Sequence, residues 1–231
     1  MIGSVMRAAV AGTDLTTWHT AIPWSHSWLA DDLTNGTATT WTSGTSAASA
    51  TIGAGTPTRA STSGPNSQPG VTFASSDYMQ ALFTTIAQPS SIVVIGRITS
   101  TVTGSVVRPI IDSALSTDRN TIHMSSTGAW GFTAGTGVTG GTADTNNHPF
   151  TAFYNGASSV LEIDGSTIAS GNINTQSLGN GITFGARYDG ANVSRPVIAA
   201  IGVYSAGDVR AHANWDTVLA PLVSTKWGLT L

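Results

Sequence analysis

The 231 residues carry 40% apolar and only 9% charged side chains, with a formal charge of −3, against roughly 25% charged residues in soluble domains. This length suits one all-β domain with a sizeable core, and the missing charge is replaced by Ser, Thr, Gly, Ala and Asn, which predicts a neutral, hydroxylated surface. One lysine, Lys226, and scattered arginines form no basic stripe, which argues against a nucleic-acid partner. The lack of cysteine removes disulfides, thiolate metal sites and a cysteine nucleophile, and no apolar run reaches the ~20 residues that membrane insertion needs.

Residues 1–27 show no clear period apart from a helix-compatible piece at 4–11, and they carry Trp18, Ile22 and Trp24. Large apolar side chains on such a segment are expected to bury against a neighbouring subunit, so 1–27 is read as an assembly arm and 28–231 as the domain. The first residues bear a passing likeness to a signal peptide, but Arg7 interrupts an apolar run too short for one. Residues 34–70 are rich in Thr, Ser, Gly and Ala and contain Pro57, Pro65 and Pro69, which predicts surface loops and short edge strands.

From Val71 onward the pattern is β. Short β-branched or aromatic runs at 71–73, 79–83, 91–98, 106–111, 120–124, 129–133, 150–155, 160–164, 182–188 and 196–204 are separated by Gly, Asn, Asp and Pro. Turns every ten residues or so imply a sandwich or barrel. Asp164-Gly165 predicts a tight hairpin, because both residues tolerate positive φ. Trp215, Leu219 and Leu222 then fall at helical spacing, with Ser205 and Asp208 as the candidate N-terminal cap, Pro221 as a kink or restart and Gly228 as the end.

The order of several short motifs is informative. Trp28-Leu29-Ala30-Asp31-Asp32-Leu33, Thr40-Trp41-Thr42-Ser43-Gly44, Gln68-Pro69-Gly70-Val71-Thr72-Phe73 and Asp77-Tyr78-Met79 come first. Leu161-Glu162-Ile163-Asp164-Gly165, Phe184-Gly185-Ala186-Arg187-Tyr188-Asp189-Gly190, Ile198 to Tyr204 and Lys226-Trp227-Gly228-Leu229 follow. Together they resemble the concanavalin A-like, laminin-G-like jelly-roll domains across residues 28–231. The resemblance implies an all-β, two-sheet antiparallel jelly-roll sandwich with a short C-terminal helix and an N-terminal arm. It fixes no single function, because lectins, glycosidases, lyases and structural modules share this fold.

Jelly-roll glycosidases place carboxylates two residues apart on one strand, one protonating the leaving oxygen and one attacking. This chain has one glutamate, Glu162; Asp164 follows at that spacing but is better explained by the turn. No Gly-x-Ser-x-Gly elbow accompanies the histidines, His19, His26, His123, His148 and His212. A non-enzymatic role is therefore expected. Jelly-roll lectins often hold calcium on loop oxygens, which makes Asp144, Asn147 and Asp189 candidate ligands, although Asp and Asn are also ordinary turn formers. No other cofactor is expected.

Glycan binding needs an aromatic plate beside amide and carboxylate partners, and Trp130, Asn146, Tyr188, Asp189 and Asn192 supply those residue types. Laminin-G-like modules of this composition are frequent in bacteriophage virion proteins. The resemblance thus implies a minor tail protein or capsid decoration, assembled in the host cytoplasm and displayed on the virion surface. Its expected partners are other virion proteins and copies of itself through Trp18, Ile22 and Trp24, with cell-surface polysaccharide as a further one. The alternatives are a secreted bacterial carbohydrate-binding module and, third, a glycosidase.

Overall fold

The computed structural model describes residues 16–231 apart from 102, 103 and 105; the helix-compatible piece at 4–11 lies outside the described residues. A short helix, α1 (Thr16–Ala21), precedes β1 (His26–Leu29), β2 (Gly36–Thr37), β3 (Thr40–Thr42), β4 (Ser49–Ala54), β5 (Thr58–Ala60) and β6 (Gly70–Thr72). There follow β7 (Tyr78–Leu82), β8 (Ser90–Ile98), β9 (Arg108–Ser113), β10 (Thr121–Met124), β11 (Trp130–Thr133) and β12 (Gly137–Gly140). The chain continues through β13 (His148–Tyr154), β14 (Ser159–Ile163), β15 (Ser166–Gly171), β16 (Gly181–Phe184) and β17 (Pro196–Tyr204), and closes with the helix α2 (Ala220–Trp227).

These strands form two antiparallel sheets, a jelly-roll sandwich. The nine-stranded sheet runs β15-β14-β13-β8-β17-β6-β5-β2 with β1 added beside β17, and the eight-stranded sheet runs β12-β11-β10-β9-β16-β7-β4-β3. One edge of β17 follows β8 along its length. Its other edge is shared, with β6 pairing at Val197 and Ile198 and β1 at Ala200 to Val203.

Alternation decides what enters the core. In β7, Met79 and Ala81 point inward while Tyr78 and Gln80 stay outside. Trp28 and Trp41 both meet the Phe184 ring edge-on, at 5.2 and 5.8 Å, and Trp130 meets Phe150 at 4.9 Å. The tract 34–70 is more structured than its composition suggests. Its β2 and β3 lie at sheet edges as expected, but β4 is an interior strand between β3 and β7, and Trp41 and Ala50 are fully buried. Few apolar residues are needed there, because they fall on the one face that meets the core.

β8 and β17 read as near-continuous apolar runs because both of their faces are covered. Ile92 and Val94 face the sandwich interior, whereas Val93 and Ile95 face a second cluster outside the nine-stranded sheet. That outer cluster corrects the expectation that Trp18, Ile22 and Trp24 dock on a neighbour. Trp18, Ile22 and Trp24 are 1%, 0% and 4% exposed and pack within their own chain against Trp215, Leu219 and Trp227. Trp18 stacks on Trp24 at 5.4 Å and meets Trp227 edge-on at 5.6 Å, and the Trp24 indole donates to the Trp18 carbonyl at 2.8 Å. Gly202 permits this layer, since a Cβ there would stand 2.8 Å from the Trp24 ring.

The local turns follow their chemistry. Asp164 (φ 53°) and Gly165 (φ 70°) form a two-residue hairpin between β14 and β15, as expected. The C-terminal segment starts differently from expectation. Asp208, not Ser205, is the cap: its carboxylate accepts from the Arg210 amide at 3.0 Å, over a short 3-10 turn, while Ser205 bonds Ser25. A wide π turn at Trp215–Leu219 then passes directly into α2, with Pro221 as the second residue of α2. Gly228 ends α2 in the left-handed region, its N–H donating to the Ser224 carbonyl at 2.9 Å.

Candidate functional site

The outer face of the eight-stranded sheet carries a polar row. Register aligns Thr51 with Gln80, Gln80 with Thr183 and Thr183 with Asp112 across four strands. Gln80 donates to the Thr183 hydroxyl at 3.1 Å and to the Tyr188 carbonyl at 3.3 Å. Ile182 and Phe184, one residue either side of Thr183, face the core.

Asp112 is the hub of this face although it is fully buried. Arg119 grips it with both arms of its fork, at 3.1 and 2.6 Å, and the Tyr188 amide donates to the same carboxylate at 3.1 Å. Burial pushes the Asp112 pKa up and outweighs the lowering by Arg119 and the backbone donors. Beside it His123 is 3% exposed and shares a 2.8 Å hydrogen bond with Thr121. Burial, reinforced by the Arg119 charge, lowers His123 to about 4, so its ring is neutral at physiological pH.

Above this floor lies a cleft of about 430 Å³ lined by Val106, Val107, Arg119, Thr121, Thr133, Arg187 and Asn192. The loop after β16 forms one wall. The half-buried Tyr188 has two guanidiniums against its ring, Arg119 at 5.4 Å and Arg187 at 5.3 Å. Arg187 is held in turn by Asp189, at 2.8 and 2.5 Å, and the hydrogen bonds from Arg187 bring Asp189 down to about 2. In both arginines one edge of the fork is fixed by a carboxylate. The cleft therefore offers pre-oriented guanidinium donors, an amide and the half-buried Thr133 hydroxyl beside two exposed valines, 38% and 39% accessible.

The sequence-derived candidates divide clearly. Tyr188, Asp189 and Asn192 do come together on this loop, with Tyr188 and Asp189 holding the arginines. Trp130 does not serve as a sugar plate: it is 3% exposed and packs between the sheets against Phe150 and His148. Asn146 is exposed on the loop before β13, where its amide donates to Asp144 at 2.7 Å. Asp144 also bonds His148 at 2.9 Å, and these contacts outweigh the upward push of burial to bring its carboxyl below the usual range.

The calcium set is not assembled. Asp144 and Asn147 precede β13, Asp189 follows β16, and the two aspartates hold His148 and Arg187 instead. Among the described residues no three His, Cys, Asp or Glu side chains group as metal ligands. Glu162 and Asp164, two residues apart, are each engaged by a basic side chain. Glu162 is bonded by Arg210, and Asp164 sits in its turn bonded to His148 at 2.7 Å. Sequence reasoning passed over Asp112, Arg119 and Thr133. The alternation Thr121-Ile122-His123-Met124 already places Thr121 and His123 on one outward face, but the pairing of Asp112 with Arg119 depends on a loop closing back.

No family model and no curated protein matches the sequence. Solved structures do match in shape. The receptor binding domain of botulinum neurotoxin D superposes with a TM-score of 0.63 at 14% identity, over 90% of this chain and 56% of that one. Trypanosoma rangeli sialidase superposes with a TM-score of 0.58 at 12% identity, over 87% of this chain and 33% of the sialidase. Its complex with the inhibitor DANA gives 0.54 at 13% identity, over 78% of this chain and 30% of that one. The chain thus spans about a third of the sialidases and just over half of the toxin domain, and the likeness is one of fold. The chain is an all-β sandwich of two antiparallel sheets.

Proposed function

We propose that the chain is a non-enzymatic, lectin-like module that binds a glycan in the cleft over the eight-stranded sheet. The observation that carries this reading is the pair of arginines, each oriented by a carboxylate and packed on Tyr188, beside the Thr133 hydroxyl and exposed valines. Guanidinium forks suit the hydroxyl or carboxylate oxygens of a sugar, and apolar side chains suit its C–H faces. The engagement of Glu162 and Asp164 by Arg210 and His148 supports a binding rather than a hydrolytic role. The sialidase and toxin-domain neighbours share the fold and are compatible with carbohydrate recognition. A glycan array probed with the full chain and with Arg187→Gln tests this. Binding to a defined glycan class that falls at least about tenfold in the variant supports it, and equal binding by both proteins removes the cleft from the account.

Display on a bacteriophage virion is the second reading, resting on the sparsely charged, hydroxylated composition. Since Trp18, Ile22 and Trp24 are buried within the chain, the anchoring part would be residues 1–15. Light scattering of the full chain beside a chain starting at Thr16 tests it: assembly by the first alone supports the reading, and identical masses count against it.

A further inference from the structure

A second cleft opens at one end of the sandwich, where β1 and β8 begin and β7 and β17 end. It measures about 940 Å³, near the top of the roughly 300–1,000 Å³ range of ligand sites, and shares no lining residue with the cleft over the eight-stranded sheet. None of its fifteen lining residues is Asp, Glu, Lys or Arg. His26 is its one titratable side chain, and burial lowers that pKa, which keeps the ring neutral at physiological pH.

The wall of this cleft is built outward from the core. Trp28 is fully buried; the His26 ring lies near-parallel to it at 5.9 Å, and Phe83 lies on His26 at 3.9 Å, inclined by 24°. Ser46 fixes the His26 ring through a 2.7 Å hydrogen bond to Nδ1. At the mouth stands Leu82, 65% exposed although it ends a core strand. The described large apolar side chains that are exposed, Leu82, Val106 and Val107, all line one of the two clefts. The lining also carries hydroxyls, with Ser25 and Ser205 bonded to each other at 2.6 Å and Thr84 and Thr85 following Phe83 in the chain.

We propose that this end cleft binds an uncharged saccharide chain, at a site independent of the arginine cleft. A lining without fixed charge gives no compensation for desolvating a phosphate, a carboxylate or a divalent cation. It does match the two aspects of a neutral sugar, whose C–H faces pack on Leu82, Phe83 and Pro89 and whose hydroxyls exchange water for serine and threonine. The volume admits more than one ring, so the class is an oligosaccharide or a polysaccharide end.

The test is a titration of the isotopically labelled full chain with neutral hexasaccharides of glucose (α1,4-, β1,4- and β1,3-linked) and of N-acetylglucosamine, following amide shifts. The expected result is saturable shifts at residues 25–26, 84–88 and 205–206 with at least one of them, retained in Arg187→Gln. Ala47→Trp, which projects a ring into the cleft from an exposed position, and Leu82→Asp should each weaken binding at least about fivefold while leaving the remaining spectrum unchanged. No shift at these amides with any of the four sugars at about 10 mM overturns the proposal. Shifts confined to residues 187–192 overturn it as well while supporting the arginine cleft, so the two sites fail separately.

Discussion

Asp112 shows why a polar residue in the middle of a β-run need not be an error in the pattern. Its carboxylate is buried, yet Arg119 and the Tyr188 amide satisfy it, and the pair ties the sheet to the loop that walls the cleft. Arg119→Met leaves that buried carboxylate without its charge partner and is expected to cost about 3–5 kcal/mol, whereas Arg187→Gln, which breaks a mostly exposed pair, should cost under about 1 kcal/mol; urea unfolding of the two variants measures the contrast. His123 gives a pH signature. Its folded pKa, about 4, lies below the ordinary 6.5, so between those values the unfolded chain binds a proton that the folded one refuses. Stability is therefore full above about pH 6.5 and falls as pH drops toward 4, by roughly 3 kcal/mol from this residue. His26, also lowered, adds to the loss, and Asp112, whose pKa is raised, opposes it. His123→Asn should flatten the slope of urea midpoint against pH, and an unchanged slope would count against the assigned burial. Residue types alone singled out Tyr188, Asp189 and Asn192, which share the loop that walls the arginine cleft. They misplaced Trp130, because a tryptophan one residue before a glycine in a strand reads the same whether it faces sugar or core.

At the scale of elements, local chemistry was the surest guide. The Asp164-Gly165 turn, the left-handed end at Gly228 and the restart at Pro221 all follow from backbone preferences that need no tertiary context. The strands from β6 to β17 were recognisable wherever apolar side chains alternate or run unbroken. Those in 34–70 were concealed, since β4 presents mainly Ala50 to the core and fills its outer face with Ser and Thr. The outer layer of α1 and the C-terminal helix was half legible, its helical spacing visible but its partner on β17 not. Gly202 is where that layer touches the sheet most closely. Gly202→Ala is expected to displace the Trp24 ring and to cost about 1–3 kcal/mol, read as a lower thermal midpoint together with altered tryptophan fluorescence.

For the whole molecule, the consequence is that residues 16–25 belong to the fold. A chain starting at Ser27 loses Trp18, Ile22 and Trp24 and uncovers Val93, Ile95 and Trp215. Each large apolar side chain removed from such a layer forfeits about 1.5–3 kcal/mol, so this truncation should be markedly less stable or aggregate, and a cooperative melt equal to that of the full chain would contradict the assignment of these residues to the core. The intact sandwich presents two clefts of opposite chemistry, one edged with arginines and one without fixed charge. The central claim is that the arginine cleft binds a glycan and leaves it intact. Calorimetric titration of the full chain and of Thr133→Trp with an array-positive glycan, followed by mass measurement of the recovered sugar, tests it most directly. The account predicts binding at the arginine cleft that is at least about tenfold weaker in the filled variant, with the sugar mass unchanged; equal affinity in both proteins, or a shortened sugar, would contradict it.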